Sequence, residues 1–192
     1  KQTVRKIVKA VKQTSDYLKK FDFDGVDICS KVYFITSEDL LKMYPDKIAK
    51  EREYEIVKKY KTVFILKIGG KLSHGAPHDL RAPDYDDWEL NGDLLFYHEV
   101  LDMALEVSSM GIRVDKDSML KQLKLSDKEY RLNFEYHKMI LEDKLPLSIG
   151  GGIGQSRLCQ LLLGRYHIGE VQSSYWDDEN IKKCEELGIE LL

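Results

Sequence analysis

The run Ser148-Ile149-Gly150-Gly151-Gly152-Ile153-Gly154-Gln155-Ser156-Arg157 constrains this chain more than any other stretch. Four glycines fall within five residues, and Leu158, Leu161 and Leu162 follow at helical spacing. A backbone without Cβ atoms can come close to a planar or anionic ligand. The helix that follows presents unpaired N–H groups and the positive end of its dipole, and Arg157 adds a planar cation in the first turn. On these residues alone a nucleotide site and a structural turn are equally supported. No Lys-Ser/Thr pair follows the last glycine, so the run is not a Walker A loop. It also lacks the strand, spacing and downstream acid of a dinucleotide fingerprint.

The chain has 192 residues, enough for one domain with a substantial core or for most of a larger one. Basic and acidic side chains number 30 and 33, a formal net charge of −3, which gives no electrostatic case for nucleic-acid binding. No apolar run approaches the ~20 residues of a membrane span, and no secretory signal opens the chain. Cys29, Cys159 and Cys184 are scattered and odd in number, so neither a disulfide framework nor a zinc knuckle is predicted, and a reducing cytoplasm is the expected compartment. The first residue is Lys1 rather than Met, which predicts that the sequence starts inside something longer.

Residues 1–21 read as an amphipathic helix with Val4, Ile7, Val8, Val11, Leu18 and Phe21 on one face. Val32–Ile35 reads as a buried strand, Ser37–Leu41 as the start of a capped helix stopped near Pro45, and 46–60 as a second, charged helix. Val63–Ile68 is a core strand ended by Gly69-Gly70. Residues 69–92, dense in Gly, Pro, His and Asp, read as a long loop, and a loop of that length in a compact chain is usually functional or disordered. Strands are expected at Asp93–Tyr97, Glu106–Val114 and His167–Val171. Helices are expected at Asp115–Leu123, at Ser126–Leu141 with Leu132, Tyr136, Met139 and Ile140 inward, and at Asp177–Leu187. The elements mix without regular βαβ alternation, which favours an α+β domain with a largely antiparallel sheet.

Several polar groups stand in a suggestive order. Asp93 and Glu106 can face each other across a hairpin and hold Mg²⁺, an ion that takes one or two carboxylates plus substrate phosphates; spacing alone favours two exposed carboxylates. Arg113 suits a bidentate clamp on phosphate or carboxylate, although a solvent-facing arginine would have the same pattern. Arg81 and Asp86 offer opposite charges to an amino acid, or form a loop salt bridge, which the residues favour slightly. His74 and His78 have zinc-like spacing, but Gly75 and Pro77 lie between them, so packing or solvation is expected. His98, His137 and His167 carry no signal.

Taken together, Ile68–Ser73, Arg81–Trp88, Leu90–Asp93, Glu106–Val114, Ile149–Arg157 and His167–Gln172 resemble ammonia-dependent asparagine synthetases, the aspartate–ammonia ligases, which are related to class II aminoacyl-tRNA synthetases. The resemblance covers nearly the whole chain, more loosely over residues 1–60. It implies an antiparallel sheet flanked by helices, a homodimer, and a reaction using ATP, Mg²⁺, aspartate and ammonia. Such enzymes adenylate the β-carboxylate of aspartate, and ammonia then displaces AMP. It implies ATP contacts at Asp93, Glu106, Ser108, Gly150, Gly151, Gly152, Gly154 and Arg157, with Mg²⁺ on Asp93 and Glu106. Aspartate would meet Arg81, Asp86 and Ser109, and catalysis would rest on Asp86, Arg81 and Arg113, with Asp86 a candidate proton acceptor.

Against the family pattern, residues 1–192 read as a single catalytic-type domain without the upstream part that holds class II motifs 1 and 2. Only Glu89 stands between Trp88 and Leu90, where the pattern carries extra residues. Two alternatives accompany the ligase reading. One is a truncated or non-catalytic nucleotide-binding domain. The other is an aspartyl- or asparaginyl-tRNA synthetase paralogue, which the charge balance and the absence of an anticodon-binding domain disfavour.

Overall fold

A computed structural model describes residues 1–21 and 26–192. Helix α1 spans Gln2–Leu18 and buries Val4, Val8, Val11 and Ser15 at near-helical spacing. A 3-10 turn over Lys19–Phe21 ends it and leaves Phe21 exposed rather than on the apolar face. Strand β1 (Tyr33–Thr36) leads into α2 (Ser37–Met43), whose cap is Thr36: its hydroxyl accepts from the Asp39 amide at 3.0 Å. Helix α3 (Ala49–Tyr60) is followed by β2 (Thr62–Leu66), a β-branched and aromatic run buried on both faces. Two long strands, β3 (Asp86–His98) and β4 (Met103–Arg113), form the central hairpin. After α4 (Lys116–Leu125) and α5 (Glu135–Leu141), the chain enters β5 (Ile149–Ile153), α6 (Gln155–Leu162) and finally α7 (Asp178–Glu186).

The five strands lie in the order β1-β2-β3-β4-β5. β1 and β2 run parallel, and every other neighbouring pair is antiparallel, so the largely antiparallel sheet carries one parallel pair at its edge. Alternation along the strands divides the core in two. Phe64, Leu94, Phe96, Leu105 and Val107 face α1 and the Leu161–Leu162 end of α6. Val63, Ile65 and Leu95 face α2 and α3 through Leu40, Ile56 and Val57. A third cluster of Val114, Met119, Leu123 and Ile140 holds α4 and α5 together.

Four local expectations change. The stretch 86–92 is strand rather than loop, because β4 pairs with it at Asp86, Asn91 and Gly92. The glycine run is itself a strand: every residue from Ile149 to Ile153 pairs with β4, in place of the expected turn. Residues 126–141 do not form one helix. A 3-10 segment over Glu129–Asn133 and α5 are separated by Phe134 in extended conformation, and His137 rather than Tyr136 points inward. His167–Val171 holds a 3-10 turn over Ile168–Glu170 rather than a strand. Among the described residues, no helix is long and apolar enough to cross a membrane.

Candidate active site

The site grows from two irregularities in the β3–β4 hairpin. Leu94 pairs with Ser108 and Leu95 with Glu106, so Val107 is an extra residue in β4. Such a bulge re-aims the side chains beside it. Ser109 stands opposite Asp93, on the α3 side of the sheet. By plain alternation Glu106, three residues earlier, would fall on the other side. The bulge returns it to the side of Asp93 and Ser109, while Val107 packs with the α1 core. Asp93 and Glu106 thus share a face although they are not directly paired. Ser108 pairs with Leu94 on the opposite side, and its hydroxyl is buried without a partner, so the structure does not bring it into the cleft with Ser109. The second irregularity lies nearer the start of β3, where Asp87–Leu90 swing out opposite Ile112 alone.

Continuing along that face, Gly111 pairs with Gly150, Ser109 with Gly152, and Arg113 with Asp86. The result is a floor almost free of side chains, ending in an Arg113–Asp86 ion pair. Two glycines are in close approach to charged side chains. A Cβ on Gly150 would overlap the Arg113 guanidinium, and one on Gly111 would sit 2.8 Å from Asp86 Cγ. Arg113 also donates to the Tyr85 hydroxyl at 3.0 Å and lies 3.9 Å over the Tyr85 ring.

A cleft of about 510 Å³ opens over this floor. Asp86, Glu106, Ser109, Arg113, Gly151, Gly152, Gly154 and Arg157 all line it. Arg157, in the first turn of α6, donates to the Glu106 carbonyl at 3.0 Å, and the Gly154 amide donates to the Val107 carbonyl at 2.8 Å. The bulge therefore also docks the N-terminus of α6, whose free N–H groups are directed at the cleft end.

Arg81 and Asp86 do not pair with each other, contrary to the loop salt bridge that their spacing suggested. Arg81 pairs with Asp93, and Asp86 with Arg113. Asp93 is buried, and burial pushes its carboxyl up to about 6; the nearby Glu106 charge adds to the rise, while Arg81 and Ser109 oppose it. Its Oδ2 is taken by Arg81, and its Oδ1 is buried without a partner. An orphaned carboxylate oxygen beside a second carboxylate fits one divalent cation held by Asp93 and Glu106 and completed by ligand oxygens.

The loop carrying Arg81 is pinned by residues that sequence reasoning did not single out. Asn91 hydrogen-bonds both the amide and the carbonyl of Ile68, each at 2.8 Å. His78 Nε2 meets Glu53 Oε1 at 3.0 Å in a buried pair, and Lys50 donates to Glu53 Oε2 at 2.9 Å. Burial opposes ionisation of Glu53, but these two hydrogen bonds outweigh it and hold the carboxyl below the usual range. Buried Gln122 on α4 satisfies three backbone groups: it donates to the carbonyls of Pro83 at 2.9 Å and Asp86 at 3.1 Å, and accepts from the Trp88 amide at 2.8 Å. Asp84 accepts from Arg131 at 2.8 Å and 3.0 Å and contacts His137 at 2.9 Å. Among these, His78 is expected from the sequence to pack or be solvated in preference to binding metal, and it packs as a loop anchor. A polar residue that closes a contact 25 or 53 positions away leaves no local signal.

Known proteins resemble this chain in sequence and in fold. The family described as Aspartate-ammonia ligase matches residues 1–188. Relatives named aspartate–ammonia ligase include those of Clostridium tetani, 56% identical over 193 residues, and Ligilactobacillus salivarius, 55% identical over 194. Each match takes in 100% of this chain but only 57% and 58% of the relative. In fold, the chain is similar to an asparaginyl-tRNA synthetase of Entamoeba histolytica solved with asparaginyl-adenylate. The TM-score is 0.55 and the identity 18%, over 82% of this chain and 37% of that one. The aspartyl-tRNA synthetase of the same organism gives 0.51 and 16%, over 73% and 31%.

Proposed function

The chain belongs to the aspartate–ammonia ligase family, and from that premise we propose that it carries the nucleotide- and aspartate-handling face of an ATP-dependent ligase making asparagine, AMP and pyrophosphate. The observation that supports this most is the juxtaposition of a glycine floor, the Asp86–Arg113 pair and the Asp93–Glu106 carboxylates along one face of the sheet. The chain spans about 57% of the length of the Clostridium tetani relative that it matches.

In this reading the adenine and ribose lie over Gly151, Gly152 and Gly154, with Arg157 and the N-terminus of α6 at the edge. Arg113 exchanges Asp86 for phosphate oxygens, because a bidentate guanidinium matches either anion. Mg²⁺ on Asp93 and Glu106 supplies charge neutralisation for the departing pyrophosphate. Arg81 and Ser109 orient aspartate so that its β-carboxylate oxygen bonds the α-phosphorus while the bond to the β-phosphate breaks. Ammonia then bonds the acyl carbon, the bond to AMP breaks, and a proton leaves the nitrogen. Asp86, released from Arg113, accepts it. The ligase is a homodimer. The decisive experiment incubates the protein with ATP, aspartate, ammonium and Mg²⁺ and measures AMP and asparagine. Both products appear in equal amounts in the full mixture and neither appears without ammonium or aspartate; AMP formed on a tRNA acceptor instead would overturn the reading.

A further inference from the structure

Arg81 sits in the long connection between β2 and β3, and its position is set from both sides. Downstream, the Pro83 carbonyl is held by Gln122, and the Ala82 carbonyl accepts from the Trp88 indole at 3.3 Å. Upstream, the nearest fixed point is His78. A small turn over residues 71–77, closed by the Leu72 amide to the Ala76 carbonyl at 3.0 Å, delivers that imidazole to Glu53 on α3. Three residues separate His78 from Arg81, a reach of at most ~11 Å. Wherever α3 holds the imidazole, Arg81 is confined to a small region around it, and that region contains Asp93.

The chemistry of the pair is one-sided. His78 Nε2 is bound to a carboxylate, while Nδ1 is buried without a partner. A carboxylate acceptor fixes the proton on Nε2. Glu53 is in turn held by Lys50, so helix α3 presents the loop with a rigid, charge-assisted anchor.

We infer that the buried Glu53–His78 pair is a positioning device for Arg81, setting its affinity for the substrate carboxylate through Nε2 alone. This rests on the reading above in which Arg81 receives aspartate. Two isosteric replacements separate the nitrogens: His78→Gln keeps an N–H near Nε2, and His78→Asn keeps a polar group near Nδ1 and loses the reach to Glu53.

The test uses the intact protein, with steady-state kinetics for aspartate and ATP and with tryptic cleavage after Arg81 followed by mass spectrometry. In His78→Asn and Glu53→Ala, KM for aspartate rises at least tenfold, KM for ATP stays within twofold, and cleavage after Arg81 accelerates at least tenfold. In His78→Gln both quantities stay within threefold of wild type. The inference is overturned if His78→Asn leaves cleavage and aspartate KM unchanged, or if His78→Gln is as impaired as His78→Asn, which would assign the role to Nδ1. A wild type that forms no asparagine defeats the ligase reading alone, because the cleavage comparison still judges the anchor.

Discussion

Arg113 lies directly over Gly150, in space that any side chain would fill. Gly150→Ala is therefore expected to displace the guanidinium and weaken ATP binding at least tenfold, measured by calorimetric titration. Gly152→Ala, with nothing within 4 Å, keeps the wild-type melting temperature. At Asp93 the carboxyl titrates near pH 6 because burial disfavours its charge. Its pKa lies above the ordinary carboxylate value, so between about pH 4 and 6 this carboxyl holds more proton in the native state than in the unfolded chain, and its own contribution to stability falls as pH rises through that window. A cation on the ionised carboxylate offsets this. The thermal shift produced by Mg²⁺ is accordingly expected to be full at pH 7.5, to shrink below pH 6, and to vanish in Asp93→Asn. An Mg²⁺ shift independent of pH would remove Asp93 from the metal site.

Among the elements, Gln122 joins α4 to the start of β3 by three buried hydrogen bonds. Gln122→Ala leaves those backbone groups unsatisfied and is expected to lower stability by about 3 kcal/mol, read as a fall in urea midpoint at constant slope. His98 joins the end of β3 to α6: its Nδ1 accepts from the Leu101 amide and its Nε2 meets the Gln160 carbonyl, both at 3.3 Å. Burial pulls its pKa down, so the unfolded chain takes up the proton first as pH falls. The His98 contribution to stability is expected to decline on going from pH 7 to below 6.5, and His98→Gln removes that contribution from the pH profile. Elements whose signal is local were legible in the sequence. The valine stripe of α1 and the β-branched run of β2 state their periods within a few residues. β5 was not legible, because glycine is poor in strands and the run is a strand only through pairing with β4. The first half of β3 was hidden for the same reason: Pro, Asp and Gly read as loop until a partner strand supplies the hydrogen bonds. The split of residues 126–141 turns on Asp127, which takes a positive φ of 54°, and on the extended Phe134, neither of which composition marks.

For the whole molecule, family membership made the carboxylates, arginines and glycines of the cleft legible, since they sit in contiguous motifs. The supports behind them, Glu53, His78, Gln122, Arg131 and His137, lie on five separate elements and connections and became visible only when the fold joined those segments. On the homodimeric ligase reading proposed above, the intact protein is expected to sediment at twice its chain mass. Dilution into the monomer should abolish asparagine formation while preserving the circular dichroism of the sheet and helices.

The extra residue in β4 has a consequence for how this sequence tolerates changes of length. The strand carries two alternation phases, one before Val107 and one after it, and the cleft face and the core agree only while the one-residue offset between them is kept. Removing Val107 would send Glu106 beneath α1 and turn Leu105 towards α3, exchanging interior and cleft over half the hairpin. A scan of single-codon deletions should find Val107 as intolerant as any core leucine, although Val107→Ala is mild. What is held there is a count of residues, and the side chain is secondary to it.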